Sequence, residues 1–399
     1  MKKSLIIGIS VVSLLSGIQS GKGQEISARK FNPQTVVAYP KQSGNILTES
    51  REPLRLPEVE GYQVLKCDLH MHTVFSDGSV WPTTRVEEAF REGLDAIAIT
   101  EHLEFHHLHA PDVNAEENLN REYEIAKTTA QHLGLLLIPG AEVTREVPAG
   151  HFNVIFMKDA NLLKKFINES NRRDTTTLME TLQAAKDQGC FIFWNHPSYQ
   201  HPKGIAEWFD IHERLYQKGL IMEIEVANSN MYIPLVQKWA EDKKLTMLSN
   251  SDYHNSVCMQ QGCYRPMTLV FAKERSLNGI REALEKQRTV AFAQNYLYGE
   301  ESLLNSLFKN SLKIRCLSSN EKQSIIQIEN LSGLNFDLEV SANDSYRPRT
   351  PDCLLMGGKT ITIVLNHVQK RVTPNGTFKV KVKNLVPHAG STLDTEVSF

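Results

Sequence analysis

The sequence of 399 residues predicts an α/β barrel over residues 61–305, followed by a small β-sandwich over residues 306–399. Three observations support this fold class. Apolar runs alternate with segments of helical spacing in the first part, and glycine follows several of those segments. The second part contains short, partly alternating runs that turn residues separate, which is typical of a sandwich.

Seven continuous apolar runs are the predicted barrel strands. They cover residues 64–70, 95–100, 135–143, 190–195, 220–226, 245–250 and 267–272. Helical spacing occupies residues 84–93, 120–134, 177–189 and 235–244. Gly93, Gly134 and Gly189 follow three of these helices, where a C-terminal cap glycine belongs. Continuous apolar strands between helices predict parallel pairing, and seven regular units favour a barrel over an open sheet. Residues 151–157 form a candidate extra strand inside the third connection.

The N-terminal residues 1–24 have the pattern of a secretory signal peptide. Lys2 and Lys3 precede an apolar run of about a dozen residues, which is too short to span a bilayer comfortably. We therefore expect an exported protein, periplasmic or extracellular, with no membrane span after cleavage. An anchor helix that stays attached is the alternative. Residues 25–60 lack sustained periodicity and predict a linker or an extended arm.

Composition excludes some functions and leaves others open. The formal net charge of −2 gives no global basic field, so we expect no stable nucleic-acid partner. The predicted sandwich has few aromatic residues and no Trp, which makes a glycan-binding module a weaker alternative to an enzyme.

Cys67 and Cys190 are expected to be buried, whereas Cys258 and Cys263 either pair across a loop or stay free. An oligomer remains open.

Metal-binding side chains lie at the ends of most of the predicted barrel strands or in the loops just beyond. Because the carboxyl ends of parallel barrel strands open onto one face, we expect these side chains to converge. Imidazole and carboxylate together suit Mn, Zn or Fe. Nine ligands are too many for one ion and suit two or three, with a carboxylate as a bridge. The candidate ligands are His70, His72, Asp77, His102, Glu142, His151, His196, Asp252 and His254.

Five ordered motifs in residues 61–300 resemble the PHP (polymerase and histidinol phosphatase) phosphoesterases. They are "DLHMHTVFSDGS", "ITEH", "GAEVT…GHFNVIF", "NHP" and "SDYH". The resemblance implies a distorted (βα)7 TIM-like barrel and up to three metal ions. It implies a first ion held by His70, His72, Glu142 and Asp252, a second by Asp77, His102 and His254, and a third by Glu142, His151 and His196. The signal peptide and the C-terminal domain look more like the exported Sb-PDE-type phosphodiesterases.

Other residues are expected to contact the substrate or to orient ligands. Arg145 is a candidate to reach a substrate phosphate, or is a solvated loop arginine, and Arg265 precedes the seventh strand and is a candidate to face the site. Tyr199 is a candidate hydrogen-bond donor to a phosphate oxygen, or packs. His106 is a candidate proton donor to the leaving group, or is solvated. Glu225, together with Asn228, is expected to orient metal ligands.

These observations predict metal-dependent hydrolysis of a small phosphate ester. Three divalent ions against three carboxylates leave a net charge of about +3, which attracts phosphate and lowers the pKa of bound water. We expect a metal-bridged hydroxide to attack phosphorus, and export favours a diester. A phosphomonoesterase of the histidinol-phosphatase kind is the alternative. An amidohydrolase is weaker, because the fourth predicted strand, "CFIFWNH", lacks the lysine that bridges two metals in that class.

Overall fold

The computed structural model describes residues 53–105, 118–167, 174–257, 264–370 and 375–399, together with the backbone of Val37–Ala38. Residues Asn32–Phe399 belong to one compact unit. The predicted signal peptide, His106, Cys258 and Cys263 lie outside the described residues. No helix in the described ranges is both long and apolar enough to cross a membrane.

Each of the seven predicted barrel strands has a counterpart among the strands of the described residues. The strands are β1 Val37–Ala38, β2 Gln63–Asp68, β3 Ala96–Ile99, β4 Leu136–Val143, β5 Phe152–Ile155, β6 Phe191–Trp194, β7 Glu223–Asn228, β8 Met231–Tyr232, β9 Thr246–Asn250, β10 Met267–Ala272, β11 Thr289–Ala293, β12 Tyr296–Gly299, β13 Leu312–Ser319, β14 Gln323–Asn330, β15 Phe336–Ser341, β16 Tyr346–Pro348, β17 Asp352–Leu355, β18 Thr360–His367, β19 Thr377–Val382, β20 Leu385–Val386 and β21 Leu393–Ser398. The α-helices are α1 Pro82–Arg91, α2 Arg121–Leu133, α3 Thr175–Asp187, α4 Asp210–Gln217, α5 Pro234–Lys243, α6 Leu277–Glu285 and α7 Glu301–Asn310, and Ala160–Phe166 is a 3-10 helix.

The large sheet follows the order β1-β8-β7-β6-β5-β4-β3-β2-β10-β11-β12-β20, and β9 pairs with β7. Pairing is parallel among β2, β3 and β4 and among β6, β7 and β9. The extra strand β5 is confirmed, and it runs antiparallel between β4 and β6. This curled sheet confirms the predicted α/β, TIM-like class, whereas the count of seven βα units stays a prediction.

The seventh predicted strand differs from the parallel expectation. Strand β10 pairs antiparallel with β2, and Thr268 lies opposite Cys67. Strand β9 ends at the carboxyl ends of the parallel strands, and β10 begins at that same end of the sheet, so it runs antiparallel to β2. Between β9 and β10 the Thr268 hydroxyl accepts from Ser249 N at 3.0 Å and donates to Ser249 O at 2.9 Å. One side chain thus joins strands that the described backbone does not pair.

Helix ends follow from local sequence. The predicted helices 84–93, 120–134, 177–189 and 235–244 are confirmed within a few residues. The Asp174 carboxylate accepts from Thr176 N and caps α3, and Ser276 caps α6 through Gly279 N. Gly134 ends α2 with φ of 69°, a conformation that favours glycine.

The C-terminal part contains two four-stranded antiparallel sheets, β13-β14-β18-β16 and β17-β15-β19-β21. Inward and outward residues alternate along β14 and β15. This part is joined to the barrel sheet, because β20 pairs in parallel with β12 and Gln237 Nε2 donates to Val386 O at 3.1 Å. Phe308 of α7 also packs on Phe336, with ring centroids 5.0 Å apart. Cys67 and Cys190 are buried and free, as predicted.

Candidate metal centre

The carboxyl ends of the barrel strands bring the nine predicted ligands together. His70 and His72 follow β2, His102 follows β3, and Glu142 lies near the end of β4. The strand ends are tied to one another by backbone hydrogen bonds. Leu103 N donates to Glu142 O at 2.9 Å, and His72 N donates to Tyr253 O at 3.0 Å.

Glu142 lies at the middle of the cluster and is fully buried. Its carboxylate oxygens lie 3.2 Å from the Nε2 atoms of both His70 and His72. They also lie 2.9 Å from His151 Nδ1, 3.3 Å from His102 Nδ1 and 3.6 Å from His196 Nε2. One carboxylate therefore faces five imidazoles, which is the arrangement expected of a bridging ligand.

The ligand atoms fall into four overlapping groups, each with all its atoms within 4.8 Å of one another. The groups are His72, Asp77, His102 and His254; His70, His72 and Asp252; His70, Glu142 and His196; and His102, Glu142 and His151. Together they contain all nine predicted ligands and no other described residue. The groupings differ from those the resemblance implies, because His72 also faces Asp77 and His102 also faces His151.

The hydrogen bonds around His70 and His72 test whether the residues fit a metal ion. His70 Nδ1 lies 2.9 Å from Glu225 Oε1, and its Nε2 lies 3.2 Å from both Glu142 and Asp252. The buried His72 Nε2 has no hydrogen-bond partner among the described residues, yet lies 3.2 Å from the same two carboxylates. Two ligands about 2.1 Å from one ion lie roughly 3.0–3.5 Å apart. The donor set fits divalent cations.

The loop after His72 places Asp77 against His102 and His254. Asp77 Oδ1 lies 3.1 Å from His254 Nε2, and Asp77 Oδ2 lies 3.6 Å from His102 Nε2. Gly78 allows the loop to fold back on the ligand-bearing strand end. A Cβ at Gly78 would lie 2.7 Å from the carbonyl carbon of His72, so any side chain would push the loop away.

The charges of the cluster are coupled. Burial alone would raise the pKa of Glu142, but His102, His70 and His151 hold it well below its usual range. Burial disfavours the charged form of His70, yet Asp252, Glu225 and Glu142 raise its pKa well above the usual value. The carboxylates are therefore ionised at neutral pH and available as anionic ligands.

Two candidate ligands have strained backbones. His196 has φ of 26° and Asp252 has φ of 53°, a region that costs non-glycine residues about 1–3 kcal/mol. Hydrogen bonds fix both, because His196 N donates to Glu225 Oε2 and Asp252 N donates to His70 O, each at 2.9 Å. Asn228 also donates to Glu225 at 2.8 Å. Glu225 thus orients two ligands, as predicted.

The residues predicted to contact substrate have different surroundings. Arg145 is 1% exposed and pairs with Glu104, and it lines a cavity beside His151 and His196. Tyr199 is 50% exposed and its ring lies 4.9 Å from that of His196. Arg265 is buried and pairs with Asp68 at 2.9 Å and with Glu92. His106 lies outside the described residues.

Sequence analysis missed several residues that hold the ligands in place. Glu101 is buried and accepts from Thr73 N at 2.8 Å, and Thr144 Oγ1 lies 2.6 Å from His102 Nδ1. Asn195 Nδ2 donates to Glu142 Oε1 at 2.9 Å. Arg85 of α1 donates to the carbonyl oxygen of His72. Glu101 and Asn195 are next to predicted ligands in the sequence, which could have indicated their role. Nothing in the sequence around Arg85 indicates its contact with His72.

The strand-end cluster of imidazoles and carboxylates on a curled α/β sheet defines the class as a metal-binding barrel protein. Residues 68–241 match the family model of the PHP domain. A crystal structure of a two-domain protein containing a predicted PHP-like metal-dependent phosphoesterase, from Bacteroides vulgatus ATCC 8482, is 38% identical. The match covers 88% of this chain and 100% of that chain, with a TM-score of 0.79. This chain belongs to the PHP domain family.

Two further solved structures match this chain at lower sequence identity and lower structural similarity. A putative metal-dependent phosphoesterase from Bifidobacterium adolescentis is 16% identical, with coverage of 55% and 96% and a TM-score of 0.39. An amidohydrolase from Chromobacterium violaceum is 16% identical, with coverage of 57% and 98% and a TM-score of 0.35. The curated proteins give no match.

Proposed function

We propose that this protein is a metal-dependent phosphoesterase that hydrolyses phosphodiesters at a site for three divalent ions, Mn, Zn or Fe. The single observation that carries the proposal is the position of Glu142, whose buried carboxylate faces five imidazoles. The similarity to the Bacteroides vulgatus protein supports the same reaction class. Bound ions would polarise phosphate oxygens and lower the pKa of water toward neutrality.

The chain's own residues would hold these ions and fix their ligands. His70, His72, Glu142 and Asp252 would hold one ion, because their atoms meet within 3.2 Å across the barrel mouth. The set Asp77, His102 and His254 would hold a second, and Glu142, His151 and His196 a third, with Glu142 shared. Glu225 Oε1, 2.9 Å from His70 Nδ1, would orient the imidazole so that its Nε2 is left to bind an ion.

The test compares bis(p-nitrophenyl) phosphate with p-nitrophenyl phosphate as substrates. The metal-stripped protein is reloaded separately with Mn, Zn and Fe(II), and metal content is measured before each assay. We expect metal-dependent turnover that favours the diester. The His70→Ala/His72→Ala variant should lose both metal and turnover, whereas His132→Ala, an exposed histidine of α2, should keep both. No turnover of either ester by the fully loaded protein would exclude the proposal, and a preference for the monoester would favour the phosphomonoesterase alternative.

Export is a separate proposal that stands on the sequence of residues 1–24. N-terminal sequencing of the mature protein tests it. An intact N-terminal Met in protein recovered from the native cells would exclude cleavage.

A further inference from the structure

A cavity beside the candidate metal centre shares two side chains with it. His151 and His196 line the cavity together with Arg145, Pro148, Tyr199 and Phe209. The Tyr199 ring stands edge-on to both histidines, with centroids 5.5 Å from His151 and 4.9 Å from His196. The cavity therefore directly adjoins the candidate metal centre.

Arg145 lines the cavity with a buried guanidinium that is only partly hydrogen-bonded. Its side chain is 1% exposed, and its Nη1 donates to Glu104 and, at 2.8 Å, to Thr144 O. Its Nε and Nη2 atoms are buried and have no hydrogen-bond partner among the described residues. These two nitrogens form one edge of the planar guanidinium and direct two parallel N–H groups the same way. A buried donor without an acceptor costs about 1–3 kcal/mol.

The other fully buried arginines show how this chain normally satisfies a guanidinium. Arg265 has a carboxylate on each side, Asp68 and Glu92. Arg85 uses all three nitrogens on Glu88 and three backbone carbonyl oxygens. Arg145 has a carboxylate on one side only. Its second edge, formed by Nε and Nη2, has no hydrogen-bond partner among the described residues, and Arg145 itself lines the cavity. The acceptor for that edge is therefore expected to come from outside the chain.

We propose that the Nε–Nη2 edge of Arg145 binds a second anionic group of the substrate, a carboxylate or a phosphate, while the phosphoester binds at the metal centre. The preferred substrates would then be organic phosphodiesters in which a short linker joins the scissile phosphate to another oxyanion. Pro148 and Phe209 supply an apolar wall for that linker. The inference deepens the proposed function and rests on it for the position of the scissile phosphate.

Non-hydrolysable ligands test the subsite without relying on turnover. Binding of 3-phosphonopropionate, 4-phosphonobutyrate and 5-phosphonovalerate to the metal-loaded protein is measured by calorimetry and compared with propyl-, butyl- and pentylphosphonate. The series of chain lengths samples the distance between the centre and Arg145. We expect at least one carboxylate ligand to bind roughly 10- to 100-fold more tightly than its alkyl counterpart, the size of a charge-assisted hydrogen-bond pair.

The variants assign that preference to Arg145. The Arg145→Met/Glu104→Gln variant removes both members of the buried pair, so no unpaired charge remains, and it should lose the preference for carboxylate over alkyl ligands. Arg145→Lys keeps the charge without the two-pronged edge and should lose most of the preference. Lys203→Met removes an exposed cation and should keep it.

Two outcomes overturn the inference. One is the absence of a carboxylate preference at every chain length, and the other is a preference that Arg145→Lys and the double variant both retain. Hydrolysis of bis(p-nitrophenyl) phosphate is measured on the same preparations. A protein that shows the preference without hydrolysis would exclude the proposed reaction and leave the anion subsite standing, and the reverse result would exclude the subsite alone.

Discussion

We expect Arg85 to hold the backbone of the ligand-bearing loops in place, although it contacts no candidate ligand side chain. Its guanidinium is fully buried and joins three segments of chain. Nη2 donates to His72 O at 2.9 Å and to Tyr253 O at 3.1 Å, and Nη1 donates to Asn255 O at 3.0 Å and to Glu88 at 2.7 Å. Arg85 therefore ties both loops that carry ligands from β2 and β9 to helix α1.

The Arg85→Met substitution keeps most of the side-chain volume and removes every one of these hydrogen bonds. Glu88 would then be a buried carboxylate without its ion-pair partner, a change that costs about 3–5 kcal/mol. The carbonyl oxygens of His72, Tyr253 and Asn255 would each lose a donor, at about 1 kcal/mol apiece where water does not replace it. We expect a loss of about 3–8 kcal/mol in the free energy of unfolding, the upper value applying where water replaces none of the three donors, and a large loss of metal affinity.

Urea unfolding with EDTA and with saturating Mn separates these effects, and metal content is measured in parallel. Arg91→Met is the matched control, because Arg91 lies on the same helix, is exposed and pairs with Glu87 at 3.3 Å. That surface pair should contribute about 0.3–0.5 kcal/mol. The Arg85→Met/Glu88→Gln variant should recover the part of the loss due to the unpaired charge. An Arg85→Met protein within 1 kcal/mol of the Arg91 control, with full metal content, would refute the reasoning.

Three further predictions concern the ligand support, the acid limit and the C-terminal part. Glu225→Gln removes the carboxylate that accepts from His70 Nδ1, so metal affinity should fall about 10- to 100-fold by calorimetry, while the exposed Glu285→Gln leaves it unchanged. Burial lowers the pKa of His212 to about 4, below the usual 6.5, so the unfolded chain takes up the proton first. Stability should therefore fall as pH drops from 6.5 to about 4, by up to about 1.4 kcal/mol per pH unit, and His212→Gln should flatten this slope in urea titrations. Deleting residues 312–399 removes β20 from the barrel sheet and uncovers Phe308, so the remaining chain should lose its cooperative thermal transition; a folded, active fragment would contradict this.

Much of the fold and of the candidate site could be predicted because their signals are local in sequence. Buried strands read as continuous apolar runs, and a ligand such as His102 or His196 comes within two residues of the end of such a run. The convergence of these ends is a property of parallel α/β barrels and needs no knowledge of individual contacts. The nine ligands could therefore be named before their distances were known.

Strand direction and side-chain partners could not be predicted in the same way. The composition of β10 is that of a buried strand, and it carries no sign of the antiparallel pairing with β2. Arg265 and Asp68 are 197 residues apart in the chain, yet lie 2.9 Å apart in the fold. The sequence indicates that Arg265 lies next to a barrel strand, but only the tertiary structure shows which carboxylate neutralises its charge.

The three buried arginines show how the structure supplies what the sequence lacks. Each adjoins the site in sequence or space, and composition gives no reason to rank them. Their partners do. Arg85 donates from its three nitrogens to a carboxylate and three carbonyl oxygens, and Arg265 lies between two carboxylates, with its Nη2 against Glu92 although outside hydrogen-bond geometry. Arg145 has one carboxylate and two buried nitrogens that no described residue engages. Since an unengaged buried donor lowers stability, its presence in a cavity wall beside His151 is best explained by an acceptor that arrives with the substrate.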